Sequence, residues 1–443
     1  MIDRCSSTKE CLNEGDLDKI DIEQHAGFKN RKYTYDWRKC MEKQYIVTER
    51  AHFMCPNMHF GILLELDAPY EEKRVKASLD TLAQAHPFLR CTVQYEEGTE
   101  KLYYAVKEQS MIYFEEKTNI HHMWEDYKRI AAEKWDLFEE GLLKVYVYPL
   151  KDGMKVLFVA HHLLADGRSL LELSQEFANH YVSGISPKYI EEKLIKSIQD
   201  LPSKSELSGI SKLLIKRTNK QWKKEQHQVT YKQYQEFTKE YVKNHTVSYK
   251  SYQLYGDKLE EMKTSCKENG ISMNDLLMAH MYLKTGTNKI IIAVDIREKI
   301  KCYQTGALGN YATAIGVRCK TKTTDVIEKA KEVHKCVKAH MQDNRKLMLV
   351  LACYLEIEPT LLDSAAISAL GGFKSKAGEF VGGSMFGFRK PSSYSITNLG
   401  KINNVNIKEA MFIPPASPAA KMTVGVLTVN EKMQLCSSAY EGM

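Results

Sequence analysis

The sequence predicts a mixed α/β fold built as two lobes of similar architecture. Its 443 residues are too many for one ordinary core and suit two lobes of roughly 200 residues each. Short β-branched runs alternate with stretches of helical period along the whole chain. The two halves repeat a similar order of elements, although no internal sequence repeat is visible.

Taken in order, His59-Phe60-Gly61-Ile62-Leu63-Leu64-Glu65-Leu66 reads as a strand. Lys73 to His86 reads as an amphipathic helix, with Val75, Leu79, Leu82 and Ala83 on one face. Phe88 to Tyr95 and Leu102 to Val106 are further strands, and Met123 to Phe138 is helical by pattern. Leu142 to Tyr148 and Met154 to His161 form a strand pair across the turn Lys151-Asp152-Gly153. Asp166-Gly167 then opens a helix whose apolar side carries Leu170, Leu171, Leu173, Phe177 and Ala178. The N-terminal lobe is expected over residues 1–185, a basic crossover over 186–245, and the C-terminal lobe over 246–443. The second lobe reads as a strand from Thr246 to Leu254 and helices from Leu259 to Glu268 and Asp275 to Lys284. Strands follow from Lys289 to Ile296 and Gly309 to Val317, then a helix from Thr324 to Met341. The end is strand-rich, through Ser393 to Ile396, Thr423 to Val429 and Met433 to Ser438.

Composition excludes several classes of function. Hydrophobic residues make up 43% and charged residues 27%, as in a globular chain. No stretch reaches the ~18–20 apolar residues of a membrane span, and the Met1–Ser7 start lacks the apolar core of a secretion signal. The 11 cysteines are scattered singly with no Cys-x-x-Cys pair, the pattern of reduced thiols in a cytoplasm, so neither disulfides nor a metal site are expected. The +7 charge resides between Lys188 and Lys250, where 14 Lys and Arg face 7 Asp and Glu. Without any nucleic-acid-binding signature, that stretch reads as a solvated helical surface or a docking face for an anionic partner. The glycines between Gly371 and Gly387 follow helical pattern, not a strand. They are therefore expected to form a mobile loop or plain coil, not a dinucleotide cradle.

The run that carries chemistry is His161-His162-Leu163-Leu164-Ala165-Asp166-Gly167. The apolar strand Val156 to Ala160 delivers two histidines to a strand-to-helix corner, where an imidazole can face a cleft in rigid surroundings. A neutral imidazole there can take a proton from a hydroxyl or an amine once an acceptor fixes its tautomer. A carboxylate four residues on can hold the loop by pairing with an arginine elsewhere. Alternation along the strand turns His161 the other way, so it is expected to be structural. The sequence holds its own control in His121-His122-Met123-Trp124-Glu125-Asp126-Tyr127, which lacks both the leading strand and the glycine. That second pair reads as helix surface.

On these residues the chain resembles the HHxxxDG thioester-dependent acyltransferase superfamily. The superfamily spans chloramphenicol acetyltransferase-like enzymes, condensation domains of nonribosomal peptide synthetases, acyltransferases associated with polyketide biosynthesis, and stand-alone alcohol acetyltransferases. Ala85-His86-Pro87-Phe88-Leu89-Arg90 is similar to its second condensation motif, and Leu308-Gly309-Asn310-Tyr311-Ala312-Thr313 to its later glycine-aromatic-asparagine strand. Val294-Asp295-Ile296-Arg297 and Ser395-Ile396-Thr397-Asn398-Leu399-Gly400 resemble segments of the stand-alone members. The likeness runs from about residue 40 to the end.

The resemblance implies two chloramphenicol-acetyltransferase-like lobes in a V, with a tunnel between them. It makes His162 the general base, with His161, Asp166, Gly167 and Arg297 as support, Asp166 and Arg297 forming an ion pair. A backbone N–H at the start of the following helix would stabilise the oxyanion, and no acyl-enzyme is needed. Asn310, Tyr311 and Asn398 are the candidate substrate-binding residues, though both asparagines also suit turn caps. Coenzyme A or a phosphopantetheine thioester would be co-substrate, delivered as acyl-coenzyme A or on an acyl carrier protein, with a small alcohol or amine as acceptor. A monomer is expected.

The chain also departs from its relatives. The Asp-Phe-Gly-Trp-Gly element of the plant branch is absent, and the first condensation motif is not recognisable. No carrier or adenylation domain follows, so the chain is expected to act alone or in trans. The alternative reading is a non-catalytic condensation-like module that binds a carrier protein. An epimerase with a different second base ranks last.

Overall fold

In a computed structural model of the protein the described residues are 43–226, 228–389 and 393–442. The Met1–Ser7 start and Cys5, Cys11 and Cys40 lie outside the described residues. In chain order the strands are β1 (Gln44–Ile46), β2 (His59–Leu66), β3 (Cys91–Tyr95), β4 (Leu102–Val106), β5 (Tyr113–Glu116), β6 (Leu143–Leu150) and β7 (Gly153–His161). The second half adds β8 (Val247–Leu254), β9 (Lys289–Asp295), β10 (Ala312–Arg318), β11 (Ser393–Ile402), β12 (Glu409–Ile413), β13 (Ala420–Val429) and β14 (Lys432–Tyr440).

These strands form a three-stranded sheet, β1-β4-β3, and two larger ones, β12-β2-β7-β6-β5 and β10-β9-β11-β13-β14-β8. β7 lies in the middle of the five-stranded sheet, antiparallel to both β2 and β6. Its unbroken apolar run is explained by burial on both faces. Val156, Phe158 and Ala160 pack with Leu170, Leu171 and Phe177 of the helix Gly167–Ser183. Leu157 and Val159 pack with Met123, Tyr127 and Ile130 of the helix Met123–Ala132. In the six-stranded sheet, Ile290, Ile292 and Val294 of β9 face Leu277, Met278 and Tyr282 of the helix Met273–Thr285.

The halves are interlocked. β12, unread in the sequence, leaves the C-terminal half and pairs antiparallel with the edge of β2. Phe412 of β12, with Leu399, Ile402 and Leu427, joins the core of the N-terminal half. The basic stretch includes the helices Gly209–Glu225 and Tyr231–Asn244.

Three expectations are corrected by tertiary contacts. Pro87–Arg90 is a 3-10 turn, and the strand starts only at Cys91, because Pro87 has φ pre-set for a helical turn and no N–H to give a ladder. The helix from Met123 stops at Ala132. Beyond it the chain follows outside partners, Leu137 N–H donating to the Tyr231 hydroxyl at 3.2 Å and Val93 N–H to the Leu137 carbonyl at 2.8 Å. The glycine-rich stretch is irregular only at its ends: Lys376–Gly378 is helical and Glu379–Met385 is a π-helical turn packed on the helix Pro359–Ala369. A Cβ at Gly382 would meet the Ala365 carbonyl oxygen at 2.0 Å, so this packing needs glycine there.

Candidate active site

At the end of β7 the two motif histidines part. His161 is buried and its Nδ1 accepts the Leu163 N–H at 3.2 Å, while burial, with His59 and His162 nearby, lowers its pKa to about 3. A ring that accepts on Nδ1 and resists protonation holds the corner.

His162 steps off the strand, its own N–H donating to the Met58 carbonyl at 2.7 Å. Its Nδ1 lies 2.9 Å from Asn310 Oδ1. The Asn310 amide is oriented by its other end, whose Nδ2 donates to the carbonyls of His162 at 2.9 Å and Leu163 at 3.1 Å. Oδ1 can only accept, so His162 carries its proton on Nδ1 and Nε2 keeps a free lone pair. Burial pulls the His162 pKa below its ordinary value, and a bond to its own backbone, the Asp166 charge and the Asn310 bond offset this only in part. A neutral imidazole with a free Nε2 can accept a proton from an incoming nucleophile.

Asp166 braces the corner. It caps the helix Gly167–Ser183, its Oδ1 accepting the Ser169 N–H at 2.8 Å, and its Oδ2 accepts the Tyr311 N–H at 2.7 Å. Arg297 Nη2 sits 3.1 Å from Asp166 Oδ1, and the same guanidinium reaches Glu172 at 2.9 Å and Asp295 at 3.0 Å. Asp166 N–H also donates to the Gly309 carbonyl at 3.0 Å. These bonds occupy the backbone from Gly309 to Tyr311, which is why β10 starts at Ala312 and not at Gly309. A Cβ on Gly167 would meet Leu399 and Phe412 at 3.0 to 3.3 Å, so this glycine lets the helix start pack against the second half.

Two candidates lie elsewhere. Tyr311 is buried in the core beside Tyr303, and its hydroxyl donates to the Lys193 carbonyl at 2.8 Å; it lines neither cavity described below. Asn398 accepts the Gly400 N–H at 2.9 Å in a local turn. Its neighbours Ser395 and Thr397 face the cavity instead, because side chains alternate along β11.

Sequence reading missed His52, on the short helix Arg50–Phe53. Its ring stacks on His162, with centroids 4.3 Å apart and planes at 20°. Its buried Nδ1 has no hydrogen-bond partner among the described residues. Burial, together with His162 and His161, holds its pKa well below the ordinary value. No local pattern marked it: the residues just before β2 fold beside those just after β7 only through the β2–β7 pairing that sets His59 opposite His161.

A cavity of about 310 Å³ opens beside His162 between the halves. His52, Cys55 and Met58 line one side, and Lys289, Ile291, Gly316, Ser395 and Thr397 the other. A second cavity of about 320 Å³ lies on the His161 side, lined by His59, Trp135 and Tyr234 and sharing Cys55 and Met58. Among the described residues no group of His, Cys, Asp and Glu could hold a metal ion.

A family model described as Condensation domain matches residues 57–345, well over half of the chain, and the chain belongs to that family. Its members form amide or ester bonds between substrates tethered through phosphopantetheine. The fold is similar to that of the epimerization domain from the third module of tyrocidine synthetase B, at 15% identity and a TM-score of 0.54 over 90% of this chain and 92% of that one. It also matches the first condensation domain of the calcium-dependent antibiotic synthetase, at 10% identity and TM-score 0.58 over 90% and 91%. VibH, an NRPS condensation enzyme, matches at 12% identity and TM-score 0.52 over 88% and 87%. These likenesses show the fold, two chloramphenicol-acetyltransferase-like lobes in a V. No curated protein matches the chain.

Proposed function

We propose that this protein is an acyltransferase that moves an acyl group from a thioester to an alcohol or amine, with His162 as general base. The observation that carries the reading is the committed Nδ1 of His162, which leaves Nε2 as a lone acceptor in a ring that borders a cavity. The acceptor hydroxyl or amine gives its proton to Nε2 while its oxygen or nitrogen attacks the thioester carbonyl. On collapse the C–S bond breaks, and the proton on Nε2 passes to the departing thiolate. The thioester is already activated, so no group on the enzyme need be acylated.

The donor is coenzyme A or a carrier-borne phosphopantetheine. The basic stretch Lys188 to Lys250 supplies charge for the phosphates of the one or an acidic face on the other. Thiol release, measured with an acyl-coenzyme A panel and then with acyl carrier proteins, tests the reading. Release that depends on an added alcohol or amine is expected. Release with no acceptor dependence would indicate hydrolysis, and none with any donor would leave a module that binds a carrier without turnover.

A further inference from the structure

The cavity beside His162 is floored by one face of the six-stranded sheet. Alternation on β9 sends Ile290 and Ile292 into the core and turns Lys289 and Ile291 to the cavity. Gly316 on β10 stands opposite Ile291, and Ser395 on β11 pairs with the same residue. The Lys289 stem lies over Gly316, where a Cβ would come within 2.8 Å of Lys289 Cε.

Among the described residues that line this cavity there is no carboxylate, and Lys289 is the only lysine or arginine. Its half-buried amine has its pKa lowered, by burial first and then by the Arg318 charge, and no carboxylate among the described residues offsets this. Desolvating an ammonium without a counter-ion is costly, and an anion brought by a ligand would offset that cost. The hydroxyls of Ser395 and Thr397 face the same space and can donate to a second oxygen.

We propose that Lys289 anchors a carboxylate on the substrate that reacts at His162, so the cavity selects a carboxylate-bearing acyl group or acceptor over its neutral counterpart. The inference rests on His162 as the reacting centre, but its test reads binding and not turnover. Titration calorimetry would compare succinyl- with butyryl-carba(dethia)pantetheine, which carry no cleavable thioester, and separately 4-aminobutyrate with butylamine. Wild type, Lys289→Met and Lys289→Arg would each be measured.

A charge-assisted bond predicts that the carboxylate member of one pair binds about 10–100-fold tighter. That preference should vanish in Lys289→Met and persist in Lys289→Arg. A preference in the first pair places the carboxylate on the acyl group, and one in the second pair places it on the acceptor. Absence of a preference in both pairs, or one that survives Lys289→Met, overturns the proposal. If the protein binds with this preference and yet transfers nothing, the proposed reaction fails while the anchor stands.

Discussion

His162 depends on two neighbours that do different things, and each can be removed alone. Asn310 fixes the tautomer through a hydrogen bond the base needs most when it becomes charged. Asn310→Ala should lower kcat by about 10–100-fold with KM nearly unchanged, since a bond to a charged group contributes ~1.5–3 kcal/mol. A steady-state comparison decides this; a rise in KM alone would make Asn310 a substrate contact. His52 covers one face of the ring. The folded pKa of His162 lies below its ordinary 6.5, so activity should persist below pH 6.5 and fall as pH drops through the depressed value. His52→Ala admits water to that face and should move the acid limb of kcat/KM to higher pH, whereas His52→Phe should leave it in place. At this scale the sequence showed the motif well, because strand, corner and glycine are local in the chain. It could not show that Asn310, 148 residues away, would meet His162, or that Tyr311 would turn into the core.

Among the elements, the junction after the helix Glu72–Ala85 concentrates charge in the interior. His86 is buried between Glu176 on the helix Gly167–Ser183 and Glu192, at 2.7 and 2.9 Å. Burial pulls its pKa down, but the two carboxylates outweigh that and raise it to about 9. Glu192 also accepts the N–H groups of Phe88 at 2.7 Å and Leu308 at 3.3 Å, tying the loop to the turn before Gly309. A pKa raised on folding gives stability that is present below pH 6.5 and lost as pH rises through about 9. Denaturant midpoints should therefore fall between pH 6.5 and 9 in wild type and stay flatter in His86→Phe, each pKa unit amounting to about 1.4 kcal/mol. Strands and helices with a clear period were legible in the sequence, β7 and the helix after it above all. β12 was not, since Glu409–Ile413 becomes a strand by adding to an edge 344 residues earlier at Glu409 opposite Glu65 and 352 at Ile413 opposite Gly61, and local pattern carries no trace of such pairing.

Across the whole molecule, a buried clasp joins the segment that holds His52 to the second half. Arg50 lies two residues before His52 and meets Asp363 on the helix Pro359–Ala369 through both Nε, at 2.9 Å, and Nη2. Both side chains are almost wholly buried. Removing one partner strands the other charge, so Arg50→Ala should cost about 3–5 kcal/mol of stability, and replacing both with apolar residues should cost less. Equal losses in the single and double variants would show that the pair is not coupled. The two-lobed plan was legible because the chain is too long for one ordinary core and its halves repeat a similar order of elements. The interlocking was not, because it rests on packing of Phe412, Leu399 and Leu427 whose partners lie hundreds of residues away.

Acceptor-dependent thiol release by wild type and His162→Ala, with whichever donor the wild type accepts, tests the role of His162 most directly. The variant should fold and bind donor as before but turn over roughly 10²–10⁴-fold more slowly, the usual contribution of a general base. Equal rates in the two proteins would contradict that role and move the chemistry away from His162.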